Sequence, residues 1–473
     1  MCTKRLFVLF FFGTLILTGC AARRYQSAPI VPTESASRLG SRNLDDPGLQ
    51  AFLERNVDHP VAPWPPKTWD LETLSLAALY FNPTLEVVRA RVLEAQAAVV
   101  TAGARPNPSV SVAPSIPSPY LFNLDFAVPI ETAGKRGHRI QSARSLENAA
   151  RFDLADSAWK VRSGVRAALL NYLLASRSLD LLRTEEKIRV EQVNILEQRF
   201  AVGEIPRPEV DLARIELSKT HLAISTAEGQ IAEAKVALAA SVGIPVAGLQ
   251  GLNFSWSDFD SPPSAESLSP EHIQQEAVLN RLDVRRSLAQ YAAAESDLQL
   301  EISKQYPDVQ IGPGYTYEEK NNFFTLGLST TLPIFNRNQG PIAEAEARRK
   351  QAAASFLERQ AQVIAGSERA LALYVAALKE LAEADQSLHK LQDAHLQMMQ
   401  QAVQLGEEDR LSLNGVQVES SVVARARLDA LARAHSALGE LEDAVQRPLD
   451  PGNQFPLCPE SPALNKSPQE SKR

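Results

Sequence analysis

The sequence predicts a mainly α-helical chain with a β-barrel portion, built from a duplicated unit of helix, β-hairpin, very long helix and shorter helix. Three observations predict it. First, the chain repeats its own punctuation: Pro129 to Gly203 is 74 positions and Pro333 to Gly406 is 73, an agreement that points to duplication. Second, four stretches alternate bulky apolar residues with small or polar ones, the period of a β-strand. Third, the chain is rich in Ala, Leu, Gln, Glu and Arg and only 6% aromatic, the palette of long helices packed through small side chains.

Taken in order, residues 1–19 read as a signal peptide. Met1 to Arg5 is a short basic start, and the apolar stretch Leu6 to Leu17 is too short to span a bilayer. Leu17-Thr18-Gly19-Cys20 resembles the bacterial lipobox, which implies that Cys20 becomes the lipidated N-terminus. Ala21 is not the aspartate associated with inner-membrane retention, so the resemblance implies the outer membrane. The alternative is a plain secretory signal with an incidental cysteine. Residues 20–70 are polar and punctuated by Pro63, Pro65 and Pro66, and read as an extended, lipidated leader. Cys2, Cys20 and Cys458 are the only cysteines, too few for a disulfide framework.

The first repeat is expected over 71–248. A helix starts near Leu71 and runs to about Ala104, with a turn or kink at Asn82-Pro83. Two strands follow, then a helix from about Gly134 to Val202, on the order of 100 Å long at ~1.5 Å per residue. Pro206 and Pro208 restart a shorter helix that ends near Gly243-Ile244-Pro245. Residues 249–270 read as a linker, 271–447 as the second repeat and 448–473 as a disordered tail.

The strands carry the clearest chemistry. Tyr120, Phe122, Leu124, Phe126, Val128 and Ile130 alternate with Leu121, Asn123, Asp125 and Ala127; Val110, Val112 and Ile116 alternate with serines and Ala113. In the second copy, Phe324, Leu326, Leu328 and Leu332 oppose Thr325, Gly327, Ser329 and Thr331, while Val309, Ile311, Tyr315 and Tyr317 oppose Gln310, Gly312, Gly314 and Thr316. A soluble half-buried sheet alternates too, but usually with Lys and Glu on its wet face. Here the wet face is mostly Ser, Thr, Gly, Asn and Gln, which suits the inside of a membrane barrel, with Asn123, Asp125, Thr325 and Ser329 expected in the lumen. Pro106, Pro108, Pro114, Pro117 and Pro119 are expected at the ends or turn of the first strand. Four strands cannot close a barrel, so several chains must contribute. A homotrimer is the smallest assembly that encloses a real lumen, giving a shared barrel of twelve strands.

The long helices show heptad spacing at Ala167, Leu174, Leu181, Ile188, Ile195 and Val202, and at Ala370, Ala377, Ala384, Leu391, Met398 and Leu405. Tyr374, Leu381, Leu388, His395 and Ala402 form a companion line. An intramolecular bundle and a cylinder of side-by-side helices both satisfy this period.

Several functions are excluded. The net charge of −7 is mixed along the chain and leaves no basic stripe for nucleic acid. The seven histidines are scattered, and His389 and His395 are six apart rather than paired at i,i+4 for a metal. No phosphate-binding glycine loop or nucleophile elbow occurs. Neither catalytic residues, a cofactor nor a metal site is expected, so any energy must come from a partner.

Asn82-Pro83 with its Ala-rich helix, Gly134-Lys135-Arg136-Gly137, and above all Leu332-Pro333-Ile334-Phe335-Asn336-Arg337-Asn338-Gln339-Gly340 resemble the TolC-like outer-membrane efflux family over about Leu71 to Arg447. The resemblance implies a trimeric channel: a barrel in the bacterial outer membrane continued by an α-helical coiled-coil tunnel across the periplasm. Its partners would be a periplasmic adaptor protein and an inner-membrane proton-driven efflux transporter, and its role passive conduction to the exterior. The segment Phe335 to Gly340 and the lipobox are most similar to the branch serving cobalt-zinc-cadmium cation pumps, with a multidrug duct as the alternative. It further implies that Val202-Gly203 and Leu405-Gly406 form periplasmic tips that meet the adaptor. Glu407, Glu408 and Asp409 make the second tip acidic, a candidate gate and selectivity ring, with Arg410 beside it. The rival readings are a periplasmic coiled-coil scaffold lipoprotein that forms no pore and a lipid-anchored cell-wall enzyme. The scaffold leaves four matched amphipathic strands unexplained, and no residues support the enzyme.

Overall fold

The computed structural model describes residues 25–57, 61–116, 121–257, 259–266 and 268–449. The signal peptide, Cys20, and the tail from residue 450 on, with Cys458, lie outside the described residues. The chain divides into two compact units, one up to Arg42 and one from Asn43 on. In the first, α1 (Pro32–Gly40) starts at a proline, whose fixed φ suits the first helical turn, and buries no residue.

The second unit holds the duplicated body. Its first helix, α2 (Pro47–Asn56), is capped by Asp46 and buries Leu49, Phe52 and Leu53. The segment read as an extended leader is therefore partly helical. An Asp-Pro start supplies cap and first turn together, and three apolar residues on one face dock it on the core.

The next element, α3 (Leu71–Phe81), opens with a capping box between Asp70 and Thr73. It ends at Asn82, whose backbone is extended as a residue before proline prefers. The expected kink is a full break: α4 (Pro83–Ala102) is a separate helix, capped by the Asn82 side chain onto the Thr84 N–H at 3.0 Å. The long helix α5 (Lys135–Ala201) has 67 residues, and α6 (Arg207–Val242) has 36. Gly243 ends α6 at φ 90°, and a Cβ there would lie 3.0 Å from the Asn82 Cα. Both the left-handed backbone and the close approach call for glycine.

The second copy repeats these lengths. Helices α7 (Pro270–Asn280) and α3 both have 11 residues, and α8 (Leu282–Ser303) matches α4 within two. The run from Gln339 to Leu405 has the same 67 residues as α5, but in three pieces: α9 (Gln339–Glu383), a π-helical segment Ala384–His389, and α10 (Lys390–Leu405). The last helix, α11 (Arg410–Val445), has 36 residues, as α6 does. Both long runs leave their strands through a left-handed residue, Gly134 or Asn338.

Two small strands, β1 (Thr68–Trp69) and β4 (Asn253–Phe254), pair in parallel and tie the segment before the first copy to the linker after it. The main sheet is antiparallel in the order β2 (Ser109–Ser115), β3 (Leu121–Ile130), β5 (Val309–Glu318), β6 (Asn321–Thr330). Pro114 lies within β2 rather than at its end; β2 is an edge strand, where a missing N–H is tolerated. Strand β6 stops before Leu332 and Pro333, where the Ile334 N–H turns back to the Leu332 carbonyl at 2.9 Å. Pairing of β3 with β5 is interrupted between Asp125↔Gly314 and Val128↔Ile311. There Gly312 approaches so closely that a Cβ would sit 1.4 Å from the Phe126 carbonyl oxygen.

One large core joins α2, α3 and the middle of α5; a second joins α7, α9 and α11. The heptad lines fare unequally. Leu174, Leu181, Ile188 and Ile195 are half-buried, while the fully buried positions of α5 nearby are Leu179, Leu182, Val193 and Leu196, packed on α6. Along the second copy Ala370, Tyr374, Ala377 and Leu381 are buried. Beyond the π segment Leu391, Met398 and Leu405 are exposed, and α10 buries no residue.

Candidate functional site

The sheet sorts its side chains by face. Cross-strand partners Val112↔Leu124, Leu124↔Tyr315 and Tyr315↔Phe324 align one apolar row across all four strands. Phe324, Leu326 and Leu328 on that face are 84%, 78% and 71% exposed. The opposite face aligns Asp125↔Gly314 and Gly314↔Thr325, with Asn123 accepting from Thr316 Oγ1 at 2.9 Å and Ser329 beside Gln310. The expected lumen residues Asn123, Asp125, Thr325 and Ser329 thus share one face, away from Phe122, Leu124, Phe126, Leu326 and Leu328. Among the described residues, the outer edges of β2 and β6 carry no partner strand.

The strands are wired to the helices at their base. Lys135 donates to the Tyr306 carbonyl at 2.6 Å and to Asp308 at 2.7 Å, and Thr132 donates to Asp308 and to the Pro307 carbonyl. Arg136 donates to the Gly103 carbonyl at 2.7 Å, and Arg139 pairs with Glu131. Thus the Gly134-Lys135-Arg136 segment clamps the turns around both hairpins. Asn338 does the same in the second copy, donating to the Glu301 carbonyl and carboxylate at 2.8 Å.

Midway along the helices a buried polar network joins the copies. Arg162 pairs with Glu442 at 3.0 Å, with side chains 2% and 5% exposed. Trp159 Nε1 donates to Asp443 at 2.8 Å, and Ser163 also reaches Asp443. The Arg166 guanidinium overlies Gly439 and donates to the His435 carbonyl at 3.2 Å. Burial lowers the Arg166 pKa, against the opposing pull of Glu442. His435 stacks on Phe259 and sets Nε2 2.6 Å from the Phe259 carbonyl, while Tyr374 donates to the Pro263 carbonyl. The linker is therefore strapped to the second copy. None of this is legible in the sequence, because the partners lie 111 to 284 positions apart.

At the far end Val202 and Leu405 are 72% and 74% exposed, followed by Gly203 and Gly406 in the left-handed conformation. The acidic triplet divides. Glu407 and Glu408 are exposed, but Asp409 caps α11, accepting from the Ser412 N–H at 2.7 Å, and pairs with Arg199 at 2.7 Å. The Ser412 N–H and then Arg199 hold the Asp409 pKa down at about 2. Arg410 turns away from the acids and pairs with Glu191 at 2.7 Å. Both ion pairs tie the start of α11 to the end of α5, and Arg199 and Glu191 had no signal in the sequence. Among the described residues no group of three or more His, Cys, Asp or Glu could hold a metal ion, and no helix is long and apolar enough to cross a membrane.

Comparison with known proteins places this geometry. Residues 74–244 match the family described as outer membrane efflux protein. Over 279 residues the chain is 28% identical to the cobalt-zinc-cadmium resistance protein CzcC of Cupriavidus metallidurans, covering 58% of this chain and 64% of that one. It is 23% identical over 299 residues to the pyoverdine export outer membrane protein OpmQ of Pseudomonas aeruginosa, covering 57% and 62%. The aligned stretch is thus less than two thirds of either relative's length. Among solved structures, CusC superposes with a TM-score of 0.64 at 18% identity, covering 90% of this chain and 99% of that one. The Campylobacter jejuni CmeC outer membrane channel gives 0.62 at 15% identity, covering 90% and 94%. Residues 74–244 thus match the outer membrane efflux protein family, and the body shares the fold of these solved outer-membrane channels.

Proposed function

We propose that three copies of this chain close a twelve-stranded barrel in the bacterial outer membrane and continue it as a helical tunnel through the periplasm. The observation that carries this reading is the sheet: four antiparallel strands with a contiguous exposed apolar face, a small polar face and two unpartnered edges. The apolar face is unfavourable in water and at home in lipid, but in lipid each unpaired backbone group at an open edge costs several kcal/mol unless another strand covers it. With four strands alternating in direction, β6 of one copy meets β2 of the next antiparallel, so the same pairing rule closes the ring. The duct is passive, its energy coming from an inner-membrane proton-driven transporter reached through a periplasmic adaptor. Val202-Gly203 and Leu405-Gly406 are the adaptor's docking points, since both present an exposed apolar residue on a left-handed glycine turn. Glu407 and Glu408 line the tip opening, while Asp409 is held by Arg199. Cys20 carries lipid, an anchor independent of the strands; uptake of labelled palmitate, abolished in Cys20→Ala, reads this out.

Likeness to the cobalt-zinc-cadmium resistance protein favours metal cations as cargo; likeness to a pyoverdine exporter keeps a larger organic cargo as the second reading. The duct reading is tested by reconstituting purified protein in planar bilayers and weighing the detergent-solubilised assembly. Trimers with discrete conductance steps are expected. A monomer that leaves the bilayer sealed would return the chain to the scaffold reading.

A further inference from the structure

The four strands contain no Lys, Arg or His, and their carboxylates are Asp125 and Glu318. Glu318 is at the hairpin end of β5, two residues from Lys320 in the turn. Asp125 is mid-strand on the polar face, and no basic group of the described residues pairs with it. Its position is built rather than incidental. Gly314 directly opposite has no side chain, and a Cβ there would lie 2.6 Å from Asp125 Oδ1 and 2.5 Å from Thr325 Oγ1. The glycine leaves the room into which the carboxylate and the hydroxyl lean from the two flanking strands. Asn123 and Thr316, bonded to each other two residues along on the same face, continue a surface of oxygen acceptors.

We propose that Asp125 is a specificity-determining residue of the channel, setting a preference for cations inside the barrel itself and not only at the helical tip. The proposal rests on the trimeric duct reading above. In a twelve-stranded ring with strands ~4.8 Å apart and tilted ~40°, the wall lies about 12 Å from the axis. Three Asp125 carboxylates then form one mid-barrel ring. At 0.1 M salt the Debye length is ~10 Å, so their field reaches the axis attenuated but not lost; at 0.01 M it is ~30 Å. Coulomb's law in water with that screening gives a cation-over-anion preference of about threefold at 0.1 M and about tenfold at 0.01 M. Such dependence on salt separates a wide charged ring from a tight binding site.

The test is the reversal potential of reconstituted trimers under a KCl gradient at both salt levels. Asp125→Asn is expected to lower the potassium-over-chloride permeability ratio by about threefold at 0.1 M and by more at 0.01 M. Asp125→Glu should keep the wild-type ratio, and Glu407→Gln with Glu408→Gln should leave the barrel's share in place. If Asp125→Asn does not assemble, Ser329→Asp on the same face must raise the ratio. A wild-type ratio in Asp125→Asn, or no rise in Ser329→Asp, overturns the proposal. Absence of any conductance in the wild type overturns the duct reading instead.

Discussion

Replacing Glu442 by Leu removes the acid that holds Arg162 inside the body. The Arg162 side chain is 2% exposed and its carboxylate partner 5%, with nitrogen and oxygen 3.0 Å apart and Arg166 Nε 3.8 Å from the same oxygen. Truncating one member of such a pair strands an uncompensated charge, which costs about 3–5 kcal/mol. The Leu449 N–H would also lose its acceptor on Glu442. The exposed pair Lys219–Glu216 is shorter, at 2.7 Å, yet its loss should cost far less, because water screens both ends. Desolvation, not distance, decides. The assay is the denaturant midpoint of detergent-solubilised protein at fixed concentration, for Glu442→Leu, Arg162→Met, the double variant and Glu216→Ala. The single changes at 162 and 442 should each unfold far earlier than Glu216→Ala. The double variant should regain most of the loss, since an apolar pair of similar volume replaces a buried ion pair at little cost. A Glu442→Leu penalty no larger than that of Glu216→Ala would refute the reasoning, as would a double variant as unstable as the two single losses added.

Three further outcomes are expected. Leu326→Arg should cost ~2–4 kcal/mol of barrel assembly and Thr325→Arg far less; equal loss of trimer from both would contradict the face assignment. Burial lowers the His435 pKa below its unfolded value of ~6.5, the Phe259 carbonyl opposing, so the folded state binds fewer protons. Its contribution is present above pH ~6.5 and is lost as pH falls below it. Asp409 behaves likewise lower down: with a folded pKa of about 2 against ~3.9 unfolded, its contribution holds above pH ~4 and fades towards pH ~2. A stability profile between pH 7 and 5 that is the same in His435→Phe as in wild type would remove the first assignment.

The proline and glycine punctuation made the duplicated body legible, because those residues act on the backbone locally: Asn82-Pro83, Gly134, Gly203, Gly243 and Gly406 all bound an element. The strand faces were legible for the same reason, since alternation needs no knowledge of the partner strand. The heptad lines misled in part. Seven-residue spacing fixes a face but not how deeply each position is covered, so Leu181 and Ile188 proved half-buried and Met398 exposed. Pro63, Pro65 and Pro66 give residues 20–70 the composition of an extended leader, yet Asp46-Pro47 within it is a complete helix start in its own right. Pairs such as Arg162–Glu442 and Arg199–Asp409 leave no trace in sequence, because either residue alone reads as one more charge on a helical surface.

The π-helical segment at Ala384–His389 makes the two halves of the duplication mechanically unlike. One half supplies an unbroken rod of 67 residues; the other, of equal length, carries a joint about two thirds of the way along. A wall of three chains would then alternate stiff staves with jointed ones. Six equivalent rods would make a tube with nearly sixfold symmetry, whose circumference could change only by all staves bending at once. In such a trimer, alternation would reduce the symmetry to threefold and give the wall three softer seams, so that its bore near the tips could change shape while the rods between stayed straight.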